Sequence, residues 1–223
     1  MLKWQYYHPA FSYESLIPNY MALSAWTGHR RFAYDLIRNL KPGLAVELGT
    51  HWGISFYSFC QAAVDTGSGT RCIAVDTWLG DDHAGRYSEE VFATVNAIVN
   101  AFYRSTATLL RTTFAGALPF IADNSAGVIH IDGYHTYEAA KDDYMSWLPK
   151  LAANGVVLLH DIAVRDNGFG VHRLWDELKV YPHLEFDHCF GLGVVCPKGC
   201  PPQLAAAIAN ADELKRRYAA AGV

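Results

Sequence analysis

Short uninterrupted apolar runs alternate with longer stretches in which apolar residues recur every three or four positions. The runs are LAVEL (44–48), CIAVD (72–76), TLLR (108–111), VIHID (128–132) and VVLLH (156–160). Apolar runs of this length without a polar face predict strands covered on both sides, and their alternation with helices predicts a parallel sheet. Helices are predicted over 53–65, 88–103, 113–122, 136–152 and 170–180. The clearest is 136–152, where Ala140, Tyr144, Trp147, Leu148 and Leu151 share one stripe. Ser88 is placed to cap the helix at 88–103, with Glu89 and Glu90 facing its positive end. Beyond 180 the pattern changes. LEFDH (184–188) and GLGVVC (191–196) lie too close for a parallel crossover and predict an antiparallel hairpin. Cys196 to Pro202 then leads into an Ala-rich terminal helix. The expected fold is α/β: a doubly wound, mostly parallel seven-stranded sheet with a C-terminal antiparallel hairpin. It is expected as one domain over 1–223, with an aromatic-rich segment at 1–43 capping the sheet or the active site, a core at 44–196 and a C-terminal helix within 197–223.

Composition narrows the class. Hydrophobic residues make up 51% and charged residues 18%, the balance of a folded domain rather than a disordered segment. A net charge of −4 supplies no basic face for nucleic acid. Five cysteines form no C-x-x-C pair, and Cys60, Cys72 and Cys196 sit in apolar runs as buried free thiols do. A reducing, cytoplasmic setting is expected. The N-terminal residues lack the apolar stretch of a signal peptide, and no run approaches the ~20 residues of a membrane span.

VELGTHWGIS (46–55) reads as strand, glycine turn and helix start. Ligands of such sheets bind at the carboxyl ends of the strands. A dinucleotide fingerprint would need glycine at 49, 51 and 54, but His51 and Ile54 stand there, which disfavours a nicotinamide oxidoreductase. The looser E-x-G-x-x-x-G suits S-adenosylmethionine, which has no pyrophosphate to cradle. Gly49 allows the turn, Gly53 allows close packing, and Glu47 is placed to bind the cationic methionine end, with Thr50 beside it. Asp76, followed by Thr77, ends the next strand, where an acid can accept from ribose hydroxyls. The plain alternatives are a turn without a ligand and a solvated strand cap.

A second polar group gathers at the ends of two further strands: Asp132, His135, His160 and Asp161. Clustered carboxylates repel unless a cation is present, so Asp132, His160 and Asp161 are candidate ligands of Mg²⁺ or Mn²⁺. His135, one turn from Asp132, is the candidate general base. Each residue alone also has an ordinary reading as a helix cap, a turn residue or a satisfied buried histidine.

VELGTHWGIS, AVDTWLGDDHAG, HIDGYHTYEAAKDD and GVVLLHDI, followed by GFGVHRLWDEL, resemble the class I methyltransferase domain of bacterial surface-polysaccharide and glycan gene clusters. That domain occurs alone or joined to glycosyltransferases, and the resemblance covers roughly residues 25–196. A more distant similarity links the chain to metal-dependent macrolide-sugar and catechol O-methyltransferases. In the macrolide-sugar enzymes a D-x-x-H segment supplies a metal ligand and a base, and here it reads Asp132-Gly-Tyr-His135. Their following acidic pair reads His160-Asp161, so either the metal is absent or His160 is a nitrogen ligand. Their adenine-contacting acid is missing from RTTFAGAL (111–118).

The resemblance implies a Rossmann-like O-methyltransferase that uses S-adenosylmethionine, acting on a sugar hydroxyl of a glycan or glycosylated metabolite. It also implies homo-oligomers or association with glycosyltransferases as partners. A catechol-like small-molecule acceptor and a non-catalytic cofactor-binding scaffold are the alternatives. WLGDDHAGRY (78–87) is expected as a loop beside the donor, with Asp81, Asp82 and His83 either touching substrate or solvated. Trp26 and His29 either reach the pocket or pack, and Arg173, Trp175 and Asp176 take core or surface roles.

Overall fold

Each apolar run becomes a strand of one sheet in the computed structural model, which describes residues 3–17 and 19–221. Met1, Leu2 and Pro18 of the 1–43 segment, and Gly222 and Val223 of the 197–223 segment, lie outside the described residues. In chain order the elements are α1 (Arg30–Leu40), β1 (Leu44–Leu48), α2 (Ile54–Thr66), β2 (Arg71–Asp76), β3 (Gly80–Asp81), β4 (Gly85–Arg86) and α3 (Glu89–Ile98). There follow β5 (Ala107–Arg111), α4 (Phe114–Ala117), β6 (Ala126–Ile131), α5 (Tyr137–Trp147), β7 (Leu151–His160), α6 (Val171–Leu178), β8 (His183–Phe186), β9 (Leu192–Val195), α7 (Pro202–Ile208) and α8 (Ala211–Ala221). The large sheet runs β5-β2-β1-β6-β7-β9-β8, while β3 and β4 form a separate small hairpin. Pairing is parallel from β5 through β7, and β9 is antiparallel to both neighbours.

The strand pleat sorts the core into two layers. Ala45, Val128, Val156 and Leu158 bury toward α1 and α2. Val46, Ile129, Val157 and Leu159 bury toward α5 and α6. The period of two carries a consequence for chemistry. Glu47, His130 and His160 share parity with the first set, so all three polar groups enter the α1/α2 layer. Asp161 follows β7 outside the strand, and its left-handed backbone brings its carboxylate to 3.4 Å from the His160 ring.

The segment at 1–43 contains α1, whose Phe32, Ala33, Leu36 and Ile37 are buried. Several local expectations are corrected. Ser88 precedes α3 but makes no side-chain capping bond. The helix expected at 113–122 shrinks to α4 and a 3₁₀ turn at Leu118–Phe120, with Pro119 in that turn. α5 ends at Trp147, because Pro149 lies in the next 3₁₀ turn and Leu151 already starts β7. The Ala-rich end is two helices, α7 and α8. Leu204 and Ala207 of one and Leu214 and Tyr218 of the other bury in the same core.

α8 closes on α1 through a buried polar contact. Asp35 accepts hydrogen bonds from the Tyr218 hydroxyl and, at 3.2 Å, from the Tyr7 amide. Burial pushes its carboxyl up to about 7, against the lowering effect of both bonds. The folded protein therefore holds this proton at pH values where the unfolded chain has lost it, so folding stability falls as pH rises from about 4 to about 7. Asp35→Asn is expected to flatten that slope. Urea midpoints of parent and variant at pH 5 and pH 7.5 check it, and a parent that gains stability relative to the variant over this interval would contradict the assignment.

Candidate active site

The turn after β1 is built by backbone sterics. Gly49 has φ +88°, and a Cβ on it would lie 2.0 Å from the Asp132 carbonyl oxygen, so no side chain fits where the β1 and β6 loops cross. Gly53 has φ +83°, and its Cβ would meet the Tyr57 ring at 2.5 Å. Asp76 anchors this turn. Its Oδ2 accepts from the Thr50 and His51 amides at 2.9 Å each, and its Oδ1 accepts from the Trp78 amide at 2.7 Å. The ribose role expected for Asp76 is thus joined by a structural one, since three backbone donors already occupy the carboxylate.

Two adjoining cavities open above the turn. One of about 230 Å³ is lined by Gly49, Asp76, Thr77, Thr113 and Phe114, among others. The second, of about 120 Å³, is lined by Thr50, Gly53 and Ser55. Both share Gly49, His51, Asp81, Tyr87, Asp132 and Gly133. Glu47 is not among the lining residues of either cavity. It is fully buried and accepts a 2.9 Å bond at Oε2 from His130 Nδ1. Trp26 Nε1 donates to His130 Nε2 at 3.1 Å, so the proton of this imidazole must sit on Nδ1. Glu47 Oε1 and Thr50 Oγ1 are buried without partners. Unsatisfied acceptors in such a place suit a ligand carrying N–H donors.

The sequence-predicted polar group converges. His135 Nε2 lies 2.9 Å from Asp161 Oδ2 and 3.8 Å from Asp132 Oδ1. His160 Nδ1 lies 3.4 Å from each carboxylate. Its Nε2 donates to the Cys189 carbonyl at 3.0 Å, fixing that nitrogen as protonated. Burial disfavours charge on all four groups, but their mutual attraction wins. His135 is pushed up to about 9 and His160 to about 10, while both carboxyls are held below their usual range. Two carboxylates and two imidazoliums balance, so the repulsion that suggested a metal is met by the histidines themselves. The atoms within 4.8 Å of one another that could hold a cation belong to Asp132, His135 and Asp161. The expected ligand His160 is outside that set, although its Nδ1 faces both carboxylates at 3.4 Å. Asp161 itself is left-handed, φ +61°, a conformation seldom adopted by non-glycine residues and often found at functional sites.

Other expectations separate. Trp26 and His29 are buried beneath the site rather than lining it. Trp175 is a core residue that donates to Glu185, and Asp176 pairs with Lys179 away from the cavities. Asp81 lines both cavities, whereas Asp82 is exposed. His130, Phe169 and the Cys189 carbonyl were missed. Only His130 carried a signal, as a polar residue inside an apolar strand at the same parity as Glu47.

Asp76→Ala is expected to cost about 2–4 kcal/mol of folding stability, since three donors lose a charged acceptor at a nearly closed position. Guanidinium unfolding measures it. A variant as stable as the parent would show that water satisfies the turn.

The arrangement has relatives. A family model described as "Methyltransferase domain" matches residues 46–162, more than half of the chain. The uncharacterized protein y4gI of Sinorhizobium fredii (strain NBRC 101917 / NGR234) is 46% identical over 173 residues, which is 77% of this chain and 19% of that protein. The chain thus spans about a fifth of that relative's length. Among solved structures, a methyltransferase from Geobacter sulfurreducens superposes with TM-score 0.63 at 13% identity, covering 86% of this chain and 92% of that one. A putative caffeoyl-CoA O-methyltransferase from Staphylococcus aureus gives 0.63 at 14%, covering 86% and 93%. An O-methyltransferase from Bacillus cereus, solved in complex with SAH, gives 0.63 at 14%, covering 84% and 92%. At such identities these structures speak for the fold, and the family match speaks for membership. The chain belongs to the methyltransferase-domain family.

Proposed function

We propose that this chain transfers a methyl group from S-adenosylmethionine to an oxygen acceptor, a sugar hydroxyl of a glycan or glycosylated metabolite. The observation that carries the transfer reading is the shared wall: Gly49, Asp132 and Gly133 line both cavities, and His135 also lines the smaller one. The sugar class rests on the motif resemblance, and a catechol-like acceptor is the competing class. The nucleoside would lie by Asp76, Thr77, Thr113 and Phe114. The methionine end would lie by Thr50 and Ser55, above the unsatisfied Glu47.

In the reaction the S–CH₃ bond breaks as an O–CH₃ bond forms in line. The sulfonium leaves as neutral S-adenosylhomocysteine, and the hydroxyl proton must be accepted. His135 is the acceptor assigned here. Asp161 takes its Nε2–H, so the lone pair of the neutral ring is on Nδ1, and the carboxylate stabilises the imidazolium that forms. The protein's main contribution is holding the reacting atoms together. S-adenosylhomocysteine is expected to bind measurably by calorimetry and raise the melting temperature, with NAD doing neither. Absence of S-adenosylhomocysteine binding would remove the donor assignment.

A second reading has its own observation: Asp132, His135 and Asp161 would hold Mg²⁺ or Mn²⁺. When bound, such an ion would polarise the acceptor oxygen. His135 would then be a ligand rather than the base. The two readings divide on methyl transfer to a panel of sugar and catechol acceptors. With His135 as base, turnover persists in excess chelator and rises from pH 7 toward about 9, as more of the ring becomes neutral. His135→Ala then lowers turnover by roughly 10²–10⁴-fold and removes that rise. With a required ion, chelation abolishes turnover and Mg²⁺ or Mn²⁺ restores it.

A further inference from the structure

The β3–β4 hairpin stands over the donor cavities, and His83 at its tip touches His135. Gly80, Asp81 and Tyr87 line the larger cavity, and Tyr87 stacks on His51 at 4.4 Å. The hairpin is tightly made. A Cβ on Gly80 would lie 1.8 Å from the Gly85 carbonyl oxygen. Asp81 Oδ1 accepts from the His83 and Ala84 amides at 2.8 and 2.7 Å, which fixes how the tip presents its residues. Of those residues, Asp82, Ala84, Gly85 and Arg86 are exposed and His83 is half-buried.

His83 packs against three rings. Its centroid lies 4.5 Å from Tyr134, 4.8 Å from Phe169 and 5.6 Å from His135. Phe169 also lies flat against His135, at 4.5 Å and 10°. Phe169 is held there because the next residue, Gly170, donates its amide to the His135 carbonyl at 2.8 Å. Three loops therefore meet at one cluster: the hairpin, the loop after β6 and the loop after β7. His83 is held in it by ring contacts, and the Nδ1 atoms of His83 and His135 are both buried without partners. Two buried nitrogens without partners weaken the closed cluster.

We propose that His83 is a positioning residue that latches the hairpin over the donor. Its ring keeps Tyr87 and Asp81 on the cavity and keeps Phe169 against His135. The donor enters with the latch open and is enclosed with it shut. This rests on the donor reading above.

Stopped-flow displacement of S-adenosylhomocysteine from the full chain tests it. Each ring contact contributes roughly two- to tenfold to closure, so His83→Ala is expected to release the ligand about tenfold faster or more. His83→Phe keeps a ring and is expected to stay within about twofold of the parent. Phe169→Ala should match His83→Ala, and the double variant should add little, because both remove the same cluster. If the parent does not bind S-adenosylhomocysteine, the donor reading fails and the latch with it. If the parent binds but His83→Ala and Phe169→Ala release at its rate, the latch alone is wrong. Equal acceleration by His83→Phe and His83→Ala would also overturn it, because the ring would not be what holds the hairpin.

Discussion

Everything at the site depends on how closely two loops cross. The backbone at Gly49 runs against the Asp132 carbonyl so tightly that a Cβ would sit 2.0 Å from that oxygen. The contact sets the spacing between the turn proposed for the donor and the carboxylate at the chemical end. It also explains why both cavities share Gly49, Asp132 and Gly133. Methyl transfer tolerates little error in the distance between reacting atoms, and a packed backbone contact gives a more rigid ruler than any side chain.

Beneath that crossing lies a polar layer that an apolar sheet would not ordinarily hold. Glu47, His130 and His160 face α1 and α2, and each histidine has its proton placed by a partner from distant sequence. Trp26 orients His130, while the Cys189 carbonyl orients His160 and also lies 3.3 Å from His29 Nε2. Cys189 and Phe190 are both left-handed, with φ of +50° and +66°. The strained turn between β8 and β9 brings that carbonyl to the site, which gives the C-terminal hairpin a role beyond closing the sheet.

The electrostatics follow from the same placement. Asp132 and Asp161 come from adjacent parallel strands and would repel each other in a buried setting. His135 and His160 arrive from the same two loops and neutralise them. Both histidines face the two acids, and His160 is also fixed on its far side by the Cys189 carbonyl.

Much of the fold was legible in the chain because its signals are short-ranged. Apolar runs of four or five residues mark the buried parallel strands, and two strands too close for a crossover mark the hairpin. The glycine turn is legible too, since Gly49 and Gly53 follow a strand and precede a helix. Asp132, His135, His160 and Asp161 were placed together because the strand ends of a parallel sheet share one edge. What each group does there was decided only by tertiary contacts. Glu47 is buried because His130 lies beside it on the next strand, 83 residues away in sequence. Asp76 is committed to backbone amides of a turn 25 and 26 residues upstream. His83 meets Phe169 only because two loops fold over the same edge. Local pattern determines which face a residue takes, but a hydrogen bond or a ring contact needs a partner within a few ångströms, and that partner is chosen by packing.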